Sequence, residues 1–225
     1  VTFGLFFKDT VQVKLSASDA VSGVKEFKYT LGGTEYTVTA TSGSAEFSIV
    51  PQYMGNISGI KAIDNAGNES EEIVTEYFAV DSISPAAPTV NLNGYTSGTW
   101  TNSDVRFTIS GATALSGIAK YQYSTDNGVN WYDIAVIDET ATTDKEPYNA
   151  IVAELTVSSE SDGISYIFRA VSNAGNNGAE SNPVVVNIDK AVPTIDVSSD
   201  IKSYKQNDTV TITASAGISG ISRVE

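Results

Sequence analysis

The chain has 225 residues, 41% aliphatic or aromatic, with 27 acidic against 13 basic side chains and a formal net charge of −14. A surface this acidic repels phosphate backbones and anionic lipid, which argues against nucleic-acid and membrane-surface partners. The absence of Cys and His removes disulfides, thiol nucleophiles, structural zinc and the usual general base of a serine hydrolase.

The opening run Val1–Phe7 is apolar, but it is too short for a signal peptide and has no basic start. No run approaches the roughly 20 apolar residues of a membrane helix. Leu5-Phe6-Phe7 reads as either a core plug or a bare strand edge. Thr10–Leu15 then alternates apolar and polar residues, the pattern of a half-buried strand, and leads to Ser22-Gly23-Val24. Lys14 falls between inward Val13 and Leu15 and is expected to face water, out of reach of an isopeptide bond. Leu31-Gly32-Gly33-Thr34-Glu35-Tyr36 reads as a turn with an aromatic plug. Ala62-Ile63-Asp64-Asn65-Ala66-Gly67-Asn68 ends another strand in a tight Asn/Gly turn. A strand over 73–80 follows, then Asp81 and the Pro-bearing stretch 82–88, which interrupts any ladder.

The same series then recurs, and a repeat outranks any local reading. Asp104–Ile109 alternates and leads to Ser116-Gly117-Ile118, 94 residues after the first Ser-Gly pair. Ala170-Val171-Ser172-Asn173-Ala174-Gly175-Asn176 repeats the Asn/Gly turn 108 residues on, before Asp189 and Pro193. Thr209–Ala214 and Ser219-Gly220-Ile221 begin a third series, 103 residues after the second. Helical periodicity is absent. Units of about 100 residues with seven or so short strands predict an all-β chain of tandem Ig-like antiparallel β-sandwiches. The divisions fall at 1–82 (a first repeat lacking a counterpart of Thr89–Leu92), 83–190 (a second with an insertion) and 191–225 (a partial third). Short Pro-bearing linkers predict a semi-rigid rod. The partial ends predict a slice of a longer array, with edge pairing or disorder over 194–225.

The motif Ser116-Gly117-Ile118 followed by Tyr121-Gln122-Tyr123-Ser124-Thr125-Asp126-Asn127-Gly128-Val129-Asn130-Trp131, and later Tyr166-Ile167-Phe168-Arg169-Ala170 with Asn173-Ala174-Gly175-Asn176, resembles bacterial immunoglobulin-like repeats. Such repeats occur in tandem in large surface and secreted proteins, including adhesins and multi-modular carbohydrate-active enzymes. Tyr166-x-Phe168-x-Ala170 is also similar to the sixth strand of fibronectin III domains. The resemblance spans nearly the whole chain. It implies an extracellular or cell-surface bacterial setting and neighbouring repeats as partners, and it says little of activity because such repeats serve many hosts; no catalytic motif is found in the sequence, so no enzymatic activity is expected.

Three places are candidate sites. Ser124–Trp131 fits the Asp-box pattern of sialidases, in which the box is a structural hairpin; with only three Arg in the chain, a hairpin staple is the expectation. Asp19 and Asp64 fall on loops of one pole and are candidate calcium ligands, the alternative being that each caps its own turn. The insertion Ile137–Tyr148 reads as a long loop, and with it Trp131, Tyr132 and Tyr148 are candidate ligand-binding aromatics for a glycan or a host matrix protein. Two functions follow. One is a non-catalytic structural spacer presenting other domains. The other is an adhesion or carbohydrate-binding module using the insertion and pole loops.

Overall fold

The structure is a computed structural model that describes residues 4–198 and 209–224. Among the described residues it holds only strands and turns. The first repeat supplies β1 (Leu5–Phe7), β2 (Val11–Ser16), β3 (Val24–Leu31), β4 (Thr34–Thr39), β5 (Ser44–Ile49), β6 (Tyr53–Gly55), β7 (Ile57–Asp64) and β8 (Phe78–Val80). The second supplies β9 (Thr89–Asn91), β10 (Trp100–Thr101), β11 (Val105–Ser110), β12 (Ile118–Ser124), β13 (Tyr132–Asp133), β14 (Ala135–Thr140), β15 (Asn149–Val157), β16 (Ser161–Ser172) and β17 (Val184–Ile188). β18 (Thr194–Ser198) and β19 (Thr211–Ser215), among the described residues, pair only with each other. Of the stretch expected to pair or to be disordered, residues 199–208 and 225 lie outside the described residues.

The second repeat is a sandwich of two sheets, ordered β10-β17-β16-β12-β13 and β14-β15-β11-β9. Alternation explains its core. Val105, Phe107 and Ile109 of β11 point inward and are 1%, 0% and 0% exposed, whereas Arg106 between them faces water beside Glu154. Phe107 meets Phe168 of the opposite sheet with ring centroids 5.1 Å apart and Tyr166 at 5.5 Å. Ile118, Tyr121, Val186 and Ile188 close the rest.

The first repeat follows the same plan with fewer strands, in sheets β4-β3-β7, β2-β5 and β1-β8-β6. Its core gathers Tyr29, Ile49, Ile57, Phe78 and Val80, with Tyr29 stacked on Phe47 at 4.0 Å. Phe7 of the opening run packs edge-on against Phe78 at 6.3 Å, and Leu5 stays 62% exposed. Lys14 faces water as expected, its Nζ 3.9 Å from Glu46.

Two expectations are revised. The strand over 73–80 is formed only at Phe78–Val80, after a lone bridge at Ile73. The Ile57 N–H donates to the Thr75 hydroxyl at 2.9 Å, so a side chain stands in for a ladder acceptor. The second repeat uses the same device, Phe168 N–H to Ser181 Oγ at 3.0 Å. The insertion is also not one long loop. Ala135–Thr140 pairs antiparallel with Asn149–Val157 and adds an edge strand; only 141–148 is a connection.

Gly23 and Gly117 hold φ of 74° and 75°, a conformation that strains side-chain-bearing residues. A Cβ on Gly23 would meet only the Asn65 amide at 3.6 Å, but one on Gly117 would run into the Tyr148 carbonyl. Gly117→Ala is therefore expected to cost well beyond the roughly 1–2 kcal/mol of the backbone strain alone, and Gly23→Ala about that amount. Chemical denaturation of the two variants compares them directly.

Candidate functional site

The two recurring motifs meet in space. In the first repeat the Asn65 side-chain amide donates to the Ser22 and Gly23 carbonyls at 2.7 and 3.1 Å. In the second, the Asn173 amide donates to the Ser116 carbonyl at 2.7 Å and to that of Tyr148. The Ser-Gly turn thus lies against the Asn-Ala-Gly-Asn turn at one pole, although 43 and 57 residues separate them along the chain.

In the second repeat this pole is a socket, and the last acid of the first repeat fills it. Asp81 is 0% exposed. Its Oδ2 accepts from the Ser116 backbone N–H at 2.9 Å and the Ser116 hydroxyl at 2.7 Å, while Oδ1 accepts from Ile83 N–H at 3.1 Å. Asn176, 4% exposed, donates its amide to the Asp81 carbonyl at 2.7 Å. Further along the linker, Ala179 N–H reaches the Pro85 carbonyl at 2.9 Å. The 141–148 connection leans on the same junction, with Lys145 Nζ 6.0 Å from the Tyr77 ring centroid.

The next junction is built alike. Asp189 Oδ2 accepts from the Ser219 N–H at 2.8 Å and from the Ser219 hydroxyl, and Oδ1 accepts from Ala191 N–H at 3.0 Å. In the first repeat, Ser22 makes the equivalent bonds within its own loop. Asp19 Oδ1 accepts from Ser22 N–H at 2.6 Å, Gly23 N–H at 2.8 Å and the Ser22 hydroxyl at 3.0 Å.

The electrostatics follow from these bonds. Burial alone would raise the Asp81 carboxyl, but the Ser116 and Ile83 donors outweigh it and hold it below the usual carboxylate range. The Ser219 hydroxyl and N–H lower Asp189 in the same way. Asn68 lowers Asp64 to about 2, and the Asn130 N–H with the Ser124 hydroxyl lowers Asp126 to about 2. A depressed folded-state pKa lends stability that is complete above the unfolded value near 3.9 and is lost as pH falls through the folded value. No His titrates between. Melting temperatures are expected to stay level from about pH 8 to 5 and to fall between about pH 4 and 2. Thermal melts across that range check this, and a decline already at pH 6 would contradict it.

The proposed ligand residues are distributed as follows. Asp19 and Asp64 line one pocket, with Glu69 at its rim. Each carboxylate is engaged in its own turn, Asp64 through Asn68 N–H at 2.7 Å and the Asn68 amide at 2.8 Å. Among the described residues no three Asp or Glu side chains converge as a metal site would need. The Ser124–Trp131 box folds on itself. Asp126 accepts from Asn130 N–H at 2.9 Å, Trp131 Nε1 donates to the Gly128 carbonyl at 2.9 Å, and the Arg169 guanidinium lies 4.0 Å over the Trp131 ring. Trp131 and Tyr132 belong to the β12–β13 side. Tyr148 ends the 141–148 connection just before β15 of the other sheet, and its hydroxyl donates to Glu139 at 2.6 Å and is thereby raised to about 12.

Sequence reasoning marked Asp81 and Asp189 as recurring punctuation and did not see them as plugs. The signal was their fixed place, one acid at the end of each repeat, matched to one Ser-Gly pair in the next.

The paired sheets make an all-β fold of Ig-like sandwich type, with an Asp–Ser socket at each of two junctions. No family model matches the chain, and no curated protein does. Among solved structures, the fibronectin(III)-like modules of CbhA from Clostridium thermocellum are similar at 18% identity and a TM-score of 0.36, over 82% of this chain and 89% of that one. A tetra-tandem repeat in the extending region of a large adhesion protein is similar at 14% and 0.35, over 93% and 60%. The human OSCAR ligand-binding domain is similar at 13% and 0.37, over 81% and 93%. Among the described residues no helix is long and apolar enough to cross a membrane.

Proposed function

We propose that this chain is a non-catalytic structural spacer, with units at 1–82, 83–190 and 191–225 that hold other domains of a bacterial surface or secreted protein at a set separation. One observation carries the reading: the same carboxylate-to-serine clamp closes both junctions, through Asp81–Ser116 and Asp189–Ser219. A module that only had to fold would gain nothing from burying an acid of its neighbour. A spacer gains a fixed angle, because a carboxylate held by two donors resists bending. Its partners are then the neighbouring repeats of the same chain. The extracellular placement rests on the sequence resemblance.

A second reading, a glycan- or matrix-binding module, draws on exposed aromatic and apolar surface at Tyr132 and Ile137, 53% and 60% exposed. The chain has no native Cys, so spin labels at Thr37→Cys and Ile137→Cys report one distance across the first junction. The spacer reading expects a single narrow distance and silence on a glycan and matrix-protein screen, with or without calcium. A broad distribution sinks it. Saturable binding that is lost in Tyr132→Ala installs the second reading, and binding that requires calcium and fails in Asp64→Ala returns Asp19 and Asp64 to the role of ligands.

A further inference from the structure

The poles of the first and second repeats carry the same donors and spend them differently. At the second, the Ser116 N–H and hydroxyl reach Asp81, and the Asn176 amide holds the Asp81 carbonyl at 2.7 Å. At the first, the corresponding donors turn onto acids of the same pole. Ser22 N–H, Gly23 N–H, the Ser22 hydroxyl and Val21 N–H converge on Asp19 Oδ1 at 2.6, 2.8, 3.0 and 3.1 Å. The Asn68 amide goes to Asp64 Oδ2 at 2.8 Å. The second repeat has Thr113 and Ser172 where the first has these two acids. A third position changes with them. Gly178 leaves room for the linker, since a Cβ there would stand 3.1 Å from the Pro85 carbonyl oxygen. Its counterpart is Ser70, whose hydroxyl oxygen accepts from Ala62 N–H at 3.0 Å. The third series, whose Ser219 grips Asp189, has Ala216 in the place of Asp19.

We propose that Asp19, Asp64 and Ser70 close the pole of the first repeat, so that it rejects the acid plug that the poles of the second and third units accept. The inference rests on the clamp reading above and adds a rule of residue identity to it. A pole with Asp three residues before its Ser-Gly pair supplies its own acceptor. A pole with Thr or Ala there takes the acceptor from its neighbour. The internal acid wins because closing a turn of a few residues costs less entropy than fixing a neighbouring domain. Rejection of a partner by spending its donors elsewhere is one way in which a surface becomes selective. A unit attached at a closed pole is held by its covalent linker alone and swivels, so the two kinds of pole set which joints of an array are stiff.

The test moves the closing residues onto the clamped pole. Thr113→Asp, alone and together with Ser172→Asp, is made in the full chain carrying the labels at 37 and 137. Thr113 is exposed, so the single variant folds. The distance, narrow in the native chain, is expected to broaden to the width of Asp81→Ala, and to stay broad in about 1 M salt, where charge repulsion is screened within about 3 Å. The melting temperature of the second repeat is expected to stay within about 2 °C of native, because the Ser116 donors exchange one carboxylate for another, whereas Asp81→Ala leaves them unmet. A distance that stays narrow in both variants overturns the proposal, as does broadening that salt reverses. Broadening with the melting loss of Asp81→Ala also overturns it, because the new acid then breaks the pole instead of filling it. A broad distance in the native chain fails the clamp reading and this inference with it, whereas a narrow native distance that the variants leave narrow fails this inference alone.

Discussion

Asp81→Ala is expected to unhook the first repeat from the second without unfolding either. The carboxylate is completely buried, and Ser116, which gives it both a backbone N–H and a hydroxyl, is 0% exposed as well. Removing the acceptor leaves these donors and Ile83 N–H without it. A buried donor left unsatisfied costs about 1–3 kcal/mol, and the pole relieves that cost by opening to water, which means parting from the linker. The backbone contacts from Asn176 to the Asp81 carbonyl and from Ala179 to the Pro85 carbonyl remain. They tether the linker but do not fix its direction. The distance between labels at 37 and 137 should therefore broaden, and the melt of the second repeat should fall by several degrees at about 4–8 °C per kcal/mol. Asp19→Ala disturbs a turn of the first repeat alone and should leave the distance narrow. An unchanged distribution in Asp81→Ala would show that linker backbone alone sets the angle.

The sequence reveals periodic features well and long-range pairings poorly, for physical reasons. Val105, Phe107 and Ile109 could be placed inward because one face of their strand is buried and the other wet. The Asn-Ala-Gly-Asn and Ser-Gly turns were visible as recurrences, because positive φ at Gly67, Gly117 and Gly175 narrows the residues tolerated there. Their meeting at one pole was not visible, since it is set by the closure of the two sheets. Residues 137–140 read as part of a loop because the strand Ala135–Thr140 runs along the sheet edge with Asp138, Glu139 and Thr140 all exposed, so no buried face imposes alternation on it. Asp19 and Asp64 illustrate the limit for sites. An acid that caps a turn and an acid that ligates an ion are the same letter, and only the positions of Ser22, Gly23 and Asn68 donors separate the two uses.

Phe168→Ala is expected to cost the second repeat about 3–5 kcal/mol, the range for removing a fully buried aromatic ring. Phe168 is 0% exposed and meets Phe107 across the sandwich at 5.1 Å, so the cavity would sit midway between the sheets, where neither can move in without breaking its ladder. Against a total stability of about 5–15 kcal/mol for a domain, this loss removes a large share of what keeps the repeat folded. The two repeats can be followed apart, because both tryptophans, Trp100 and Trp131, lie in the second. In the native chain the first repeat, with the smaller core and the side chains of Val11, Val13 and Leu15 only half-buried, should melt first by calorimetry, with tryptophan fluorescence changing only in the later step. In Phe168→Ala the fluorescence step should drop by tens of degrees and coincide with or precede the other. Such a reversal would mean that each repeat carries its own cooperative core and that the Asp81 clamp joins units already folded. If both steps fell together by the same amount, the clamp would instead be part of a single folding unit spanning the junction.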